Sequence, residues 1–268
     1  MTALKKFVEA ARLPVMPEIA SKLIETLSAD SVELSYLRDV ISKDPGLTAT
    51  VLRWANSPLH GLSRSVTTLD AAISILGLSK IRAQAIATCV ANTFELPAGM
   101  NRSTFWQQSL KSAGYSMWLA LAIGLDESEA WLTGMLIHLG EVIIFRFDPE
   151  AAKSLSGKSL DAQSRWELER TVLGFDEGEV MSEYAKFWKF PKEIVTALKT
   201  ATRRTGKGKF CKLGGVVHLA TILSELDVVD DASLSLLPPE IVAQLGIDVQ
   251  WLGQFLPDPQ SFTDTSDL

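Results

Sequence analysis

Apolar side chains recur along this chain three or four residues apart, as on one face of a helix, and the alternation that marks strands is almost absent. Residues 18–27 show the pattern, with one apolar stripe formed by Ile19, Leu23, Ile24 and Leu27. Asp44-Pro45 can cap and begin a helix, and Gly77 is well placed as the left-handed residue that ends another. The sequence therefore predicts an all-α protein.

The most apolar stretch, residues 131–147, is predicted to be one helix at the centre of the protein. It is apolar on nearly every face of a helical wheel, so other helices must surround it. Gly134 and Gly140 cost about 1 kcal/mol each relative to alanine, which indicates positions where a neighbouring backbone comes close. His138 lies in the middle of this stretch. We expect a buried imidazole that donates to a carbonyl; the alternative is a metal ligand or a general base.

The best internal boundary is Glu95-Leu-Pro-Ala-Gly-Met-Asn101, which is short and rich in helix breakers. It predicts an N-terminal helical lobe over residues 1–98 and a second helical lobe, with the C-terminal helices, over 99–257. The two lobes should share a core, because large residues of the first lobe such as Trp54 need cover. The polar and acidic residues 258–268 are expected to form a flexible tail.

Composition narrows the class of partner more than the class of fold. The 268 residues are 47% hydrophobic and 22% charged, which is ordinary for a soluble globular protein. The net charge of −6 argues against a nucleic-acid partner, whose binding depends on neutralising phosphates. The apolar runs look too short or too interrupted to span a bilayer, and the chain does not begin like a signal peptide, so we expect a cytoplasmic protein without a membrane partner. Cys89 and Cys211 lack CxxC spacing and are expected to be buried small side chains.

Charged clusters are the candidates for chemistry. Acidic residues at 126–129 and 176–183 could supply general acids or metal ligands, but both groups fall in first turns of predicted helices, where carboxylates favour the helix dipole and face water. The one dense basic segment consists of Arg203, Arg204, Lys207, Lys209 and Lys212. It is either a solvated loop or a binding site for an anionic partner or ligand.

Four short motifs occur in order along the chain: Leu13-Pro-Val-Met-Pro17, Asp44-Pro-Gly-Leu47, Ala55-Asn-Ser57 and Ala72-Ile-Ser-Ile-Leu-Gly77. With these motifs the chain closely resembles the HDOD family, over about residues 13–223. That family is bacterial, all-helical and related to the HD-GYP cyclic-dinucleotide phosphodiesterases. The resemblance implies a compact multi-helix HD-related bundle in which an N-terminal helical lobe packs on an HD-like lobe.

The resemblance also indicates where the metal ligands of an active HD hydrolase would lie. The His-Asp pair of such enzymes aligns with Ile137 and His138. Of two further histidines, one aligns with Gln107 or Gln108 and the other with Glu177. A downstream His-His pair aligns with the region Thr200–Arg203. A divalent ion that activates water needs several convergent imidazole or carboxylate ligands, and isoleucine offers none. The resemblance therefore implies a degenerate HD scaffold without a metal, a cofactor or a catalytic residue.

Three functional hypotheses remain open. The leading one, implied by the resemblance, is a cytoplasmic bacterial signal-transduction module that is not an enzyme and acts by binding a protein partner. The second is a metal-dependent phosphohydrolase, acting on a cyclic dinucleotide or nucleotide through a rearranged site with His138 and nearby carboxylates. The third is a nucleotide- or nucleic-acid-binding regulator that uses the basic segment, which predicts salt-sensitive binding without turnover.

Overall fold

The computed structural model describes residues 2–11, 14–29, 32–57, 60–62, 64–155, 161–203, 209–226 and 228–262. The protein is 71% helical, and no strand occurs among these residues, which confirms the predicted all-α class. The α-helices of the described part, numbered in chain order, are α1 Ala3–Ala10, α2 Glu18–Glu25, α3 Leu34–Ile41, α4 Pro45–Ala55, α5 Leu69–Leu76, α6 Leu78–Ala91, α7 Arg102–Ala122, α8 Glu127–Leu136, α9 Leu139–Phe147, α10 Pro149–Leu155, α11 Ala162–Leu173, α12 Glu177–Phe187, α13 Lys192–Ala201, α14 Lys212–Ser224, α15 Asp231–Leu234, α16 Pro239–Leu245 and α17 Val249–Gly253.

The chain forms two compact units. The smaller unit contains Pro14–Phe94 and Trp188–Phe190, and with them helices α2 to α6. The larger unit contains α1 and helices α7 to α17. The lobe boundaries predicted from the sequence, at residues 98 and 257, and the core that the two lobes are expected to share stay predictions.

Local signals explain how the smaller unit folds. The Asp44 carboxylate accepts a first-turn N–H at 3.0 Å and Pro45 takes the first position of α4, as the Asp-Pro signal predicts. Gly77 has a φ of 85°, a value that favours glycine, and α5 and α6 meet there at 109°. Beyond α4, the Asn56 amide donates to the Val66 carbonyl at 2.8 Å and accepts its N–H at 2.7 Å. Asn56 thereby closes the loop that follows its own helix.

The larger unit is built around α7, α8 and α14, which pack on one another. Its core is apolar and is formed by Tyr115, Leu119, Ala120, Ala130, Ala197, Leu213, Val216, Leu219, Ala220, Leu223, Leu234, Leu237, Ile241, Leu245 and Leu252. Burying one leucine stabilises the fold by about 1.5–3 kcal/mol. Gly134 lets α8 approach α7, because a Cβ there would lie 2.4 Å from Ser116 Oγ. The close approach predicted at this glycine is confirmed.

The single helix predicted over residues 131–147 is instead two helices, α8 and α9, separated by Ile137 and His138. At the break the Gly140 N–H donates to the Ile137 carbonyl, three residues back, at 3.2 Å. A Cβ on Gly140 would lie 2.1 Å from the Glu177 carbonyl oxygen. The predicted role of Gly140 is therefore confirmed, and it brings this break against the start of α12.

The apolar stretch Glu127–Phe147 corrects one expectation about membranes. Its length and its mean hydropathy of 1.4 would suffice to cross a bilayer, contrary to the expectation that every apolar run is too short or too interrupted. Within the protein, however, 72% of its apolar window is buried, as in a core helix. The fold is therefore compatible with a soluble protein.

Two smaller expectations concern the cysteines and the end of the chain. Cys89 is buried as expected, whereas Cys211 is partly exposed and its Sγ accepts a first-turn N–H of α14 at 3.4 Å. Residues Pro259–Phe262 form a 3₁₀ turn, and the Phe262 ring packs edge-on against Tyr115 at 5.2 Å between centroids. The remainder of the predicted tail, residues 263–268, lies outside the described residues.

Candidate functional site

Arg165 lies at the centre of a polar cluster inside the larger unit. One guanidinium nitrogen donates to Glu177 Oε1 at 3.1 Å, and another donates to Glu225 Oε1 at 2.5 Å. The Trp166 indole N–H donates to the same Glu177 oxygen at 2.6 Å, and the Gln108 amide donates to Glu225 at 3.2 Å. We call Arg165 together with Glu141, Glu169, Glu177 and Glu225 the arginine cluster.

Helices α9, α11, α12 and α14 supply the arginine cluster. Arg165 and Glu169 lie one turn apart on α11, whose N-terminus is capped by Asp161. Glu177 is the first residue of α12, and Glu225 follows the last residue of α14. The Glu169 carboxylate accepts the Glu177 backbone N–H at 2.8 Å, so it satisfies one of the free amides at the start of α12. The start of α12 and the end of α14 thus meet at the guanidinium that α11 supplies.

Burial and mutual repulsion change the protonation of the arginine cluster. Burial raises the pKa of Glu141 to about 7, with Arg165 opposing the shift and Glu177 and Glu225 adding to it. Burial also raises the pKa values of Glu169 and Glu225 above their usual range. Burial alone would lower the pKa of Arg165, but the surrounding carboxylates, Glu177 foremost, raise it well above its usual value. Arg165 is therefore a permanent cation, whereas Glu141, with a pKa of about 7, is partly protonated near neutral pH.

Several buried polar atoms here have no hydrogen-bond partner among the described residues. They are Arg165 Nε, Glu169 Oε1, Glu177 Oε2 and, in the electrostatic range of the cluster, His138 Nε2. A buried polar atom left without a partner costs about 1–3 kcal/mol. Arg165 and Glu225 keep 15% and 14% of their side-chain surface exposed, so the cluster is largely buried and only partly satisfied by protein groups.

The two buried histidines of the larger unit have different surroundings. His218 Nδ1 lies 2.6 Å from the Ala201 carbonyl oxygen, which can only accept, so Nδ1 carries the proton; the Gln163 amide then donates to Nε2 at 3.3 Å. Burial lowers the pKa of His138 to about 4, although the Glu177 carboxylate acts in the opposite direction. His138 is therefore buried, as expected, and its lowered pKa favours the neutral imidazole at pH 7. The hydrogen bond from an imidazole N–H to a backbone carbonyl, which was predicted for His138, is present at His218.

The first two residues of the second acidic stretch do not face water, contrary to the sequence-based expectation, whereas Glu179 and Glu183 are partly exposed. Asp176 and Glu177 are completely buried. The Asp176 carboxylate accepts from a first-turn N–H of α12 at 3.0 Å, from the Thr202 hydroxyl at 2.8 Å and from the Arg170 guanidinium at 2.7 Å. The expectation was wrong because these partners come from α11 and from the end of α13, which the local pattern does not reveal.

Most of the positions that align with HD metal ligands come together in space. Gln108 and Glu177 both bond to members of the arginine cluster, and the charges of Glu177 and Arg165 act on His138. Ile137 is fully buried and offers no ligand atom. In the part of the chain that the structure describes, no group of three or more His, Cys, Asp or Glu side chains is arranged to hold a metal ion. With Arg165 in place, these residues do not fit a divalent ion.

The residues at the centre of the cluster are ones that the sequence alone did not single out. Arg165 and Glu169 form a one-turn pair on α11, which is common on solvent-facing helices. Glu225 ends the apolar helix α14, a position where a charged residue usually reaches water. Both signals were present, but the 60 residues between Arg165 and Glu225 hide the contact.

The basic segment is described only in part, since Arg204 and Lys207 lie outside the described residues. Arg203 forms an ion pair with Glu179 of α12, whereas Lys209 and Lys212 are exposed. Of the three cations of this segment that the structure describes, Arg203 is thus engaged within the protein. The binding of an anionic partner by this segment stays a prediction.

The model of the HDOD domain family matches residues 13–203, and the described part of this range includes helices α2 to α13. The chain belongs to the HDOD family. In this HDOD protein the family motifs have visible structural roles. Asp44 caps α4 and Asn56 closes the following loop. In the first motif, the Pro14 carbonyl accepts the Trp188 indole N–H at 3.2 Å.

Solved structures share the fold. A protein of Shewanella amazonensis, described as a proposed phosphohydrolase, has a TM-score of 0.81 and 27% identity over 97% of this chain and 96% of that chain. An HDOD domain protein of unknown function from Geobacter sulfurreducens has a TM-score of 0.75 and 22% identity over 97% and 98% of the two chains. A proposed signal transduction protein of Marinobacter aquaeolei has a TM-score of 0.75 and 20% identity, and the match covers 98% of this chain but 62% of that protein. No curated protein matches the chain. The predicted HD-related all-helical fold is thereby confirmed.

Proposed function

We propose that this HDOD protein is a signal-transduction module that does not hydrolyse a substrate and acts by binding another protein. The family and the structural neighbours support a regulatory HD-related module. The non-hydrolytic part rests on one observation. The Arg165 guanidinium bonds to Glu177, one of the positions that align with metal ligands, and also to Glu225. A bacterial cytoplasm is part of the proposal, because the structural neighbours come from bacteria and the most apolar stretch is mostly buried.

The charge of Arg165 is the physical reason for the proposal. Carboxylates that already bond to a permanent cation are poorly available to Mg²⁺ or Mn²⁺. Two like charges about 4 Å apart repel each other by roughly 4 kcal/mol even at an effective dielectric constant near 20. A divalent ion would therefore have to displace the guanidinium before it could bind Glu177 and activate a water molecule.

A phosphohydrolase with a rearranged metal site is the alternative. The Shewanella amazonensis protein, 27% identical, is described as a proposed phosphohydrolase, and the arginine cluster contains four carboxylates with His138 in electrostatic range. On this alternative Glu141 and Glu169 would join Glu177 as oxygen ligands once Arg165 moved away. A nucleotide-binding regulator without turnover would instead use the basic segment.

Metal content and turnover distinguish these functions. We expect the purified protein to hold no stoichiometric transition metal and not to hydrolyse cyclic di-GMP, ATP or a phosphomonoester in the presence of Mn²⁺ or Mg²⁺. We further expect Mn²⁺ to raise the melting temperature of Arg165→Met by several degrees, because the freed carboxylates gain a ligand, and not to raise that of the unchanged protein. Arg203→Met, the same change at a half-exposed arginine, is the matched control.

The opposite outcome is equally definite. One tightly held metal ion per chain, together with turnover that Glu177→Gln abolishes, would contradict the proposal and establish the phosphohydrolase. Salt-sensitive nucleotide binding that Lys209→Glu with Lys212→Glu weakens, without turnover, would favour the regulator that uses the basic segment.

A further inference from the structure

The C-terminal part of the chain carries charge of one sign only. Residues 213–268 contain nine aspartates and glutamates and no lysine or arginine, and they lie beyond the range that the HDOD domain model matches. Among the described acidic residues of this part, the exposed ones are Asp230, Asp231, Glu240, Asp248 and Asp258. This surface therefore has a negative potential that no cation of its own segment offsets.

The same surface exposes large apolar side chains. Trp251, on α17, and Phe255, just beyond it, pack against each other with ring centroids 4.9 Å apart, yet they remain 45% and 55% exposed. Leu252, between them, is fully buried and fixes α17 on the core. Leu236, two residues beyond the end of α15, is 75% exposed. An exposed aromatic pair is typical of a protein-binding surface, because aromatic anchors contribute most of the binding free energy at interfaces.

Acidic groups flank this aromatic pair. The Asp248 carboxylate accepts the Trp251 backbone N–H at 3.2 Å, so it lies within one turn of the indole. Asp231, on α15, lies against α17, since a Cβ on Gly253 would be 2.2 Å from its carboxylate oxygen. Apolar rings and carboxylates therefore occupy one continuous surface formed by α15 and α17, which we call the aromatic–acidic surface.

We propose that the aromatic–acidic surface binds a basic amphipathic helix of a partner protein. Such a helix places an apolar stripe beside lysines and arginines, so that one segment can cover Trp251 and Phe255 and also reach Asp231 and Asp248. An arginine of the partner can in addition stack on the indole face. The inference rests on the proposed function, in which the protein acts by binding another protein, and it names where that partner binds and what its chemistry is.

Charge decides between this partner and the other candidates. A second copy of this chain would bring an identical acidic surface against the first, because a two-fold interface is self-complementary, and like charges repel. A membrane rich in anionic lipid would repel the same carboxylates. A basic helix is attracted at long range, and this attraction weakens as salt shortens the Debye length.

Binding of a defined peptide to the full chain tests the proposal. The probe is a fluorescently labelled amphipathic peptide of about 18 residues, built from leucine and lysine so as to be helical on binding. We expect saturable binding at about 50 mM salt that weakens at least about tenfold at 500 mM. We expect Trp251→Ala with Phe255→Ala to weaken it at least about tenfold, and Phe187→Ala, which removes a ring of 58% exposure elsewhere, to leave it unchanged within about twofold.

A second pair of variants tests the charges. Asp231→Asn with Asp248→Asn neutralises the flanking carboxylates, and asparagine at 248 retains the helix cap, so the fold is kept. We expect at least about fivefold weaker binding, against no change for Asp126→Asn with Glu127→Gln, which alters net charge by the same amount at another helix start. Circular dichroism verifies that each variant is folded.

Several results would overturn this inference while leaving the proposed function standing, since that function is tested by metal content and turnover. They are equal binding by the Trp251→Ala, Phe255→Ala variant, equal binding of a peptide with glutamate in place of lysine, and sedimentation of the chain as a dimer that this variant dissociates. Binding to vesicles of anionic lipid that this variant abolishes would likewise replace the protein partner by a membrane.

Discussion

Two stretches of the larger unit have closely similar sequences and opposite surroundings. Residues 123–130 read Ile-Gly-Leu-Asp-Glu-Ser-Glu-Ala, and residues 173–180 read Leu-Gly-Phe-Asp-Glu-Gly-Glu-Val. In both, the glycine has a positive φ, 72° at Gly124 and 81° at Gly174, and the aspartate two residues later caps the helix that follows. Their local structure is therefore the same, as expected from the same turn and cap signals.

Burial separates the two stretches. Asp126 and Glu127 are exposed, as predicted for acidic residues in a first turn, whereas Asp176 and Glu177 are completely buried. The sequence difference that matters is Gly178, which occupies the position that Ser128 has in the first stretch. A Cβ on Gly178 would lie 2.6 Å from the Leu198 carbonyl oxygen, so the glycine lets α13 cover this turn.

Burial then makes cations necessary. The carboxylates of Asp176 and Glu177 are matched by Arg170 and Arg165 of α11, at 2.7 Å and 3.1 Å. Ionised carboxylates cannot be buried without such partners, because desolvation costs several kcal/mol per ion. The comparison shows that the shared glycine turn and aspartate cap reliably predict the start of a helix. They do not predict whether the carboxylates are buried, because burial depends on which helix packs against the turn.

The largest difference between the two stretches should appear when the first glutamate of each helix is removed. Glu177→Ala leaves the Arg165 charge and the Trp166 indole N–H without their shared acceptor, so we expect the free energy of unfolding to fall by about 3–5 kcal/mol. Glu127→Ala, the matched change at the exposed stretch, should cost less than about 1 kcal/mol, the size of its interaction with the helix dipole. Urea unfolding of both variants measures the contrast; equal losses would show that Glu177 is not paired in solution.

The smaller second effect concerns the glycine that distinguishes the stretches. Alanine in an exposed helix is favoured over glycine by about 1 kcal/mol, but Gly178→Ala forces its methyl group against the Leu198 backbone. A carbonyl cannot rotate away as a side chain can, so we expect a net loss of about 1–3 kcal/mol. Ser128→Ala, at the equivalent position, should change stability by less than about 0.5 kcal/mol. A stabilised Gly178→Ala variant in thermal unfolding would contradict the close packing of α13.

How far the sequence predicts this protein follows from the same contrast. Local patterns predict the helix starts at Asp44 and Asp126 and the close approaches at Gly134 and Gly140, because such signals involve residues that are neighbours in the chain. The family motifs predict the HD-related fold. The arginine cluster does not follow, because its members are spread over residues 141–225 and look like solvated charges one at a time. The break at His138 was missed because a run of apolar residues carries no signal for it.

The last and smallest prediction uses pH to sharpen the contrast between buried and exposed carboxylates. Burial raises the pKa of Glu141 from its usual 4.5 to about 7, so between these values the folded protein holds a proton that the unfolded chain releases. The contribution of Glu141 to stability is therefore greatest below about pH 4.5, and this contribution is lost as the pH rises through about 7.

Glu141→Gln cannot ionise, so between about pH 5 and pH 8 the unchanged protein should lose about 1–2 kcal/mol more stability than this variant. The lowered pKa of His138 acts in the opposite direction below its usual 6.5, but it is shared by both proteins and cancels in the difference. Parallel stability curves for Glu141→Gln and the unchanged protein would mean that the pKa of Glu141 is not raised in the folded protein.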